Sequence, residues 1–395
     1  ILFLGGGSTV TIAQRMFEGM NSFALLAIPL YTFAGFTMSK GGISKRLMDF
    51  CYSIVGHIYG GLAHVNVLSS MIFAGISGSA VADTAGVSGM FMPEMVRKGY
   101  SKNFTVAVTA ISSTIGIIIP PSIPMVVIAG ICGISTGKLF LGGIIPGILC
   151  GLAQMIVSYF LAKKEGVPKE PGHFTIGPVL HGLWESWPAL LMPIIIVGTI
   201  TMGIVSPTEA GVIAVVYGLF AGGIIYRELK WEDIKFAFAE TVRTSGRIFI
   251  VIGAAKLYTV MLTTAGFDKW VAKTMLGFST NPTVILIMIL LIFFIVTMFM
   301  ESIATLTLFM PILYPIALGV GINPIVLSVL ITVVIGIGLV TPPVGMCIYV
   351  ACDLMDVTVG EVFPTLVPFI AATFVCIALM VAFPQLILLP TYLMA

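Results

Sequence analysis

The chain has 395 residues, 58% hydrophobic and only 9% charged, and its mean hydropathy is +1.12. A soluble protein of this length needs a charged surface that these residues cannot supply, so the composition specifies an all-α polytopic membrane protein embedded in a lipid bilayer. The formal net charge of +2 gives no footing for a nucleic-acid partner.

The chain opens on ILFLGGG, which reads like the end of a span and predicts a further helix ahead of it. Basic clusters follow at Lys40–Arg46, Arg97–Lys102, Lys163–Lys169 and Arg227–Arg247, and no Lys or Arg follows Lys273. The positive-inside rule places these clusters in the cytoplasm. Residues 22–38 then run inward. Residues 61–96 leave the cytoplasmic face and return to it, because both flanks are basic. Residues 103–134 cross outward and 139–162 cross back to a polar linker at 163–182. Residues 184–205 go out, 209–226 return and 247–265 go out again. Residues 281–318 start and end outside, 323–355 cross inward and 359–390 cross outward. Crossing the hydrocarbon core takes about 20 apolar residues. The two arms within 61–96, and the two within 281–318, are too short for that. Both segments read as re-entrant hairpins that enter from opposite faces.

The halves resemble one another. DTAGVSGMFMP at 83–93 matches ESIATLTLFMP at 301–311, with the acid eight residues before Phe-Met-Pro in both. NFTVAVTAISSTIGIIIPP at 103–121 matches NPIVLSVLITVVIGIGLVTPP at 323–343. An odd number of crossings separates the copies, so they are inverted repeats, and paired inverted repeats with interrupted helices mark secondary transporters.

A hairpin tip inside a membrane leaves main-chain groups without helical partners, and such backbone survives where it lines a cavity or meets an ion. Gly75, Gly78 and Gly86 let the chain turn. Ser77 and Ser79 supply hydroxyls. Asp83 supplies a carboxylate, or caps the returning helix. Pro120-Pro121 breaks the next helix and frees the carbonyls of Gly116 to Ile119. Free carbonyls with hydroxyls suit a hard cation such as Na+ rather than zinc, and helix N-termini at the same break suit an anion. The second repeat offers Glu301, Ser302 and Thr305 at a tip and Thr341-Pro342-Pro343 at a break. The small residues also serve membrane-helix packing, and each acid also serves as an N-cap.

Elsewhere, Lys256 within a span predicts pairing with an acid or contact with a partner. His57 and His64 read as interfacial, His173 and His181 as solvated. Trp184, Trp187, Trp231 and Trp270 fall near span ends, as an aromatic belt requires. The six scattered cysteines read as free packing thiols. GISG at 75–78 fits a rhomboid-protease motif, but no His follows His181 to activate a serine, so the chain reads as no enzyme. A channel needs a continuous pore, which inverted hairpins do not make.

The stretches GGLAHVNVLSSMIFAGISGSAVADTAG, TAISSTIGIIIPPSIPMVV, LFLGGIIPGIL and SPTEAG resemble the large membrane (M) subunit of TRAP transporters. The resemblance covers essentially the whole chain. It implies an elevator-type, sodium-driven importer of small organic acids in the bacterial inner membrane. C4-dicarboxylates and sialic acid are typical substrates. It also implies a small membrane Q subunit, separate or trimmed away, and a periplasmic substrate-binding P protein. A stand-alone ion-coupled anion transporter of the same superfamily is the nearest rival. By the resemblance, sodium would be held by Ser77, Gly78, Ser79, Asp83, Gly116 and Pro120 in the first repeat, and by Met300, Glu301, Ser302, Gly338, Thr341 and Pro342 in the second. The small anionic substrate would meet Ala80, Pro121, Ser122, Thr305 and Val344. Residues 10–20, 44–57, 231–246 and 267–278 are amphipathic enough for the family's horizontal arms. The implied layout is 1–60 scaffold and arm, 61–134 first transport repeat, 135–280 scaffold, linker and arms, 281–357 second transport repeat and 358–395 a C-terminal helix. Residues 184–226, with Gly198, Gly203, Gly211, Gly218, Gly222 and Gly223, are the expected surface for Q.

Overall fold

The computed structural model describes residues 9–167 and 175–394, and these are helical with no strand among them. Seven of the helices are long and apolar enough to cross a membrane. The expectations for residues 1–7, Lys169 and His173 lie outside the described residues.

Helix α1 (Thr9–Met20) precedes a 3-10 turn (Phe23–Leu26) that feeds α2 (Ala27–Lys40). Gly42, at φ +78°, turns the chain into the amphipathic α3 (Ile43–Val55). Arg46 of α3 pairs with Glu228 at 2.7 Å and stacks 4.2 Å from the Tyr226 ring, fixing this corner to the end of a later span. Helices α4 (Gly61–Ser77) and α5 (Ala80–Arg97) form the first hairpin. Helix α6 (Lys102–Ser113) passes through a 3-10 turn (Thr114–Ile117) into an extended break and resumes as α7 (Ile123–Cys132). Helix α8 (Thr136–Glu165) follows the first repeat. Helix α9 (Ile176–Thr201) and α10 (Pro207–Phe220, lengthened by a π turn at Ala221–Ile225) lead to α11 (Trp231–Thr264).

The amphipathic α12 (Phe267–Phe278) precedes the second repeat. Helices α13 (Pro282–Thr297) and α14 (Ser302–Gly319) make its hairpin, and α15 (Pro324–Gly338) breaks before α16 (Met346–Met355). Helix α17 (Val359–Ala382) follows, then the short α18 (Gln385–Leu388) and a final 3-10 turn (Leu389–Met394). Helix starts are written locally: Ser79, Ser101, Ser122, Ser206, Asn281, Glu301 and Asn323 each accept a main-chain N–H of the turn they open.

The repeats agree in backbone. Helix α5 begins at Ala80 and α14 at Ser302, 222 residues later; α6 begins at Lys102 and α15 at Pro324, also 222 later. The half-helix of each repeat packs on the other's hairpin, α16 against α5 and α7 against α14, and α15 crosses the Thr114–Ile117 turn. Gly336 makes that crossing close, since a Cβ there would lie 3.3 Å from Thr114 Cβ. Helices α1, α2, α9, α10 and α11 pack among themselves as a second group.

Four expectations are corrected. Residues 231–246 and 247–265 are one continuous 34-residue helix, because nothing at Gly246 interrupts the hydrogen-bond ladder. At 1.5 Å per residue it runs about 50 Å, well past the hydrocarbon core. The final span stops at Ala382, as Phe383-Pro384 requires. Gly211 and Gly218 pack within the chain, on Leu30 and Met38 of α2, and so do not face a partner. The tryptophans at 184, 187, 231 and 270 are exposed, and the cysteines are free. His181 is exposed beside Glu185, but His64 is buried rather than interfacial. Lys256 is exposed beside Gly19 and makes no ion pair among the described residues.

Candidate ion and substrate site

Each hairpin tip is held on a helix break by one main-chain hydrogen bond. Ile123 N donates to Gly78 O at 3.1 Å, and Val344 N donates to Met298 O at 3.0 Å. At the first tip Gly78 ends α4 at φ +63°, and a Cβ there would lie 2.8 Å from Pro121 O. Only glycine makes that turn and that approach. Ser79 is extended and caps α5 by accepting from Ala82 N at 3.4 Å. Gly116 sits over the turn, since its Cβ would be 3.6 Å from both the Ser79 carbonyl and Asp83 Cβ. Ser79, Asp83 and Gly116 therefore meet at one place, and Gly78 and Pro121 meet beside it.

Among the described residues, no donor pairs with the carbonyls of Ile118, Ile119, Pro120 or Pro121. Ile117 O, expected to be free, instead accepts Ser122 Oγ at 2.5 Å. The N-terminus of α7, expected to greet an anion, is also filled: Ile123 N is given to Gly78 O and Met125 N to Ser122 Oγ. Ala80 and Ser122 are buried at this tip.

Asp83 is wholly buried, and neither carboxylate oxygen has a hydrogen-bond partner among the described residues. The hydroxyls of Ser70 and Ser113 lie nearest. They are donated elsewhere, to Ser112 Oγ (3.2 Å) and Thr109 O (2.7 Å). The start of α16 reaches the same spot, with Cys347 beside Thr84 and Asp83. A buried, uncompensated carboxylate costs several kcal/mol. Apart from the Cys347 thiol, the groups brought to it are hydroxyls and carbonyls, a set that fits a hard monovalent cation. No cluster of three or more His, Cys, Asp or Glu among the described residues suggests a softer metal.

The second tip is different. Glu301 is the N-cap of α14: its carboxylate accepts Ser302 Oγ (2.7 Å), Ile303 N (2.8 Å) and Ala304 N (3.2 Å). Thr305 Oγ1 donates to Glu301 O at 3.0 Å. At the break Thr341 Oγ1 donates to Ile337 O at 2.7 Å, and Gly338 lies so close to Thr297 that a Cβ would come within 2.6 Å of its Cβ. Met300, Pro342 and Val344 occupy the tip and break, and Val344 is 40% exposed.

The match of Asp83 with Glu301 is thus off by one helical turn. Asp83 lies 218 residues before Glu301, whereas the helices they occupy start 222 apart. The backbone counterpart of Glu301 is Ser79, and that of Asp83 is Thr305. Of the two roles left open for each acid, capping belongs to Glu301, while Asp83 sits past the cap. The polar chain beside Asp83 (Asn66, Ser70, Thr109, Ser112) was missed, although its spacing along α4 and α6 was a visible signal.

Residues 1–386 match the model of the tripartite ATP-independent periplasmic transporter, DctM component. The chain belongs to the DctM family. The permease is 36% identical to the sialic acid TRAP transporter large permease protein SiaM of Vibrio cholerae, covering 95% of the chain and 88% of that protein. It is 34% identical to the C4-dicarboxylate TRAP transporter large permease protein DctM of Pseudomonas aeruginosa, covering 100% and 92%. It is 37% identical to the isethionate TRAP transporter permease protein DctMQ of Oleidesulfovibrio alaskensis over 91% of the chain, and spans 57% of that protein's length. The solved YdaH transporter of Alcanivorax borkumensis shares the fold, with a TM-score of 0.61, 13% identity and coverage of 94% and 88%. The permease is a multi-pass inner-membrane component of a periplasmic transporter, and it is no enzyme.

Proposed function

We propose that the permease imports a small organic anion into the cytoplasm on an inward sodium gradient. The observation that carries this reading is the buried Asp83 carboxylate, unpartnered beneath a tip whose neighbouring carbonyls have no donors. Sodium is the ion that such oxygens suit. In this reading Ser77, Gly78, Ser79, Asp83, Gly116 and Pro120 make one sodium seat. Met300, Ser302, Gly338, Thr341 and Pro342 make a second through main-chain and hydroxyl oxygens, with Glu301 ordering that tip by capping it. Ala80, Pro121, Ser122, Thr305 and Val344 border the substrate. The named relatives point to a sialic acid, a C4-dicarboxylate or a sulfonate such as isethionate.

The two hairpins and two broken helices move as an elevator against α1, α2, α9, α10 and α11. Hairpin one enters from the cytoplasm and hairpin two from the periplasm. A small membrane subunit covers the exposed apolar face of α9 and α10, where Trp187, Ile194, Val212 and Val216 point outward, and a periplasmic protein delivers substrate. Uptake into proteoliposomes that hold all three components tests the reading. It should collapse when potassium replaces sodium. Undiminished uptake on a proton gradient alone would reject sodium coupling.

A further inference from the structure

Buried polar side-chain atoms without a protein partner are concentrated in one bundle. His64 Nδ1 on α4, both Asp83 oxygens on α5, Thr105 Oγ1 on α6 and Gln154 Oε1 on α8 are all of this kind. The matching bundle of α13, α14, α15 and α17 holds none among the described residues. A chain of buried polar side chains runs from beside Asp83 toward Thr105. Ser70 and Ser113 abut Asp83. Ser70 Oγ donates to Ser112 Oγ (3.2 Å), Ser112 Oγ to Asn66 Oδ1 (3.0 Å) and Asn66 Nδ2 to Thr109 Oγ1 (2.7 Å). Thr109 Oγ1 also donates to Thr105 O at 2.8 Å. From Ser113 back to Thr105, α6 descends about 12 Å. Thr105 is one turn from the exposed Ser101 and Lys102, at the basic end of the hairpin.

The unpartnered atoms along this chain have the chemistry that internal water satisfies: buried, polar and without a protein partner. Aliphatic side chains fill the equivalent positions of α15, where Ile331, Val334 and Ile335 are buried in place of Thr109, Ser112 and Ser113. We propose that the α4–α5–α6–α8 bundle holds a file of internal waters running from Asp83 to the basic end of the first hairpin. The file wets the carboxylate from the cytoplasmic side while the tip stays hydrogen-bonded to the break. It rests on the buried polar atoms and not on the identity of the coupling ion.

Met95 and Met310 provide an internal comparison. Both are fully buried, Met95 with its Sδ 3.9 Å from Asn66 Nδ2 and Met310 in the dry second hairpin. Radiolysis of water in the full-length permease, held in lipid nanodiscs, generates hydroxyl radicals where water is bound. Exposed Met202 calibrates the dose. Met95 should be oxidised about tenfold faster than Met310, because only it adjoins buried water. Asn66→Leu should bring Met95 down to the Met310 rate. Thr109→Val, close to the native volume, serves the same purpose where Asn66→Leu fails to fold. Equal rates for the two methionines in the unmodified permease, whether both slow or both fast, would overturn the proposal, as would an unchanged Met95 rate in a folded variant.

Discussion

In the first repeat α4 and α6 face each other through Asn66, Ser70, Thr109 and Ser112, and the tip above them buries an unpartnered aspartate. In the second, α13 packs on α15 and the two bury aliphatic side chains such as Leu286, Leu290, Ile331 and Val334, and the tip carries a glutamate whose carboxylate is spent on three donors. The backbones are the same to within a residue in helix starts. One helical turn therefore decides what an acid does. At the cap position it neutralises a helix N-terminus; four residues further in, it faces the break without a partner. In the proposed reading, charge-dependent ion binding falls to the first repeat and the second tip relies on hydroxyls and main chain.

The sharpest way to break this comparison is at the turn itself. Gly78→Val adds a Cβ 2.8 Å from Pro121 O at a positive φ, which costs roughly 1–2 kcal/mol in backbone alone. It should pull the tip from its break and abolish uptake in proteoliposomes. Met300→Ala, at a second-tip position with no positive φ, should retain it. Loss of uptake in both, or in neither, would erase the difference.

Asp83→Asn comes next. It should raise the half-saturating sodium concentration tenfold for about every 1.4 kcal/mol of ion binding lost. It should also raise the melting temperature measured without sodium, because an unpaired buried charge is gone. An unchanged sodium response would make Asp83 a structural residue.

A matched pair of core changes tests wet against dry. Thr109→Val leaves Asn66 Nδ2 without its acceptor and should cost about 1–3 kcal/mol. Ile331→Thr exchanges buried aliphatic volume for a hydroxyl and should cost about 1–3 kcal/mol where no water enters. Denaturation of the purified variants reads both. A neutral Ile331→Thr would show that the second bundle is wet as well.

The smallest effects belong to Glu301. Glu301→Gln keeps the accepting oxygen and should cost a few tenths of a kcal/mol, while Glu301→Ala removes the cap and should cost about 1 kcal/mol. Neither should shift the sodium dependence. A sodium shift in Glu301→Gln equal to that of Asp83→Asn would restore the equivalence of the two acids.

Much of this was legible in the sequence. Apolar runs and the Pro-Pro steps gave the spans and breaks, and Ser77–Ser79 gave the first tip, because turn chemistry is local. The pairing of Asp83 with Glu301 went astray because Phe-Met-Pro occurs in both copies one turn out of register. The backbone instead pairs Pro93 with Pro315, 222 residues later. The role of Ser122 in capping the Ile117 carbonyl needed a fold in three dimensions, since four residues of broken helix lie between them. So did the continuity of α11, where a charged amphipathic stretch and an apolar span share one unbroken ladder.

Equilibrium binding of radioactive sodium to the purified permease, counted per molecule, tests the central assignment most directly. At a fixed sub-millimolar sodium concentration, Asp83→Asn should bind one ion fewer than the unmodified permease, and Glu301→Gln should bind the same number. Equal counts for Asp83→Asn and the unmodified permease, with the lost ion appearing in Glu301→Gln instead, would contradict the account.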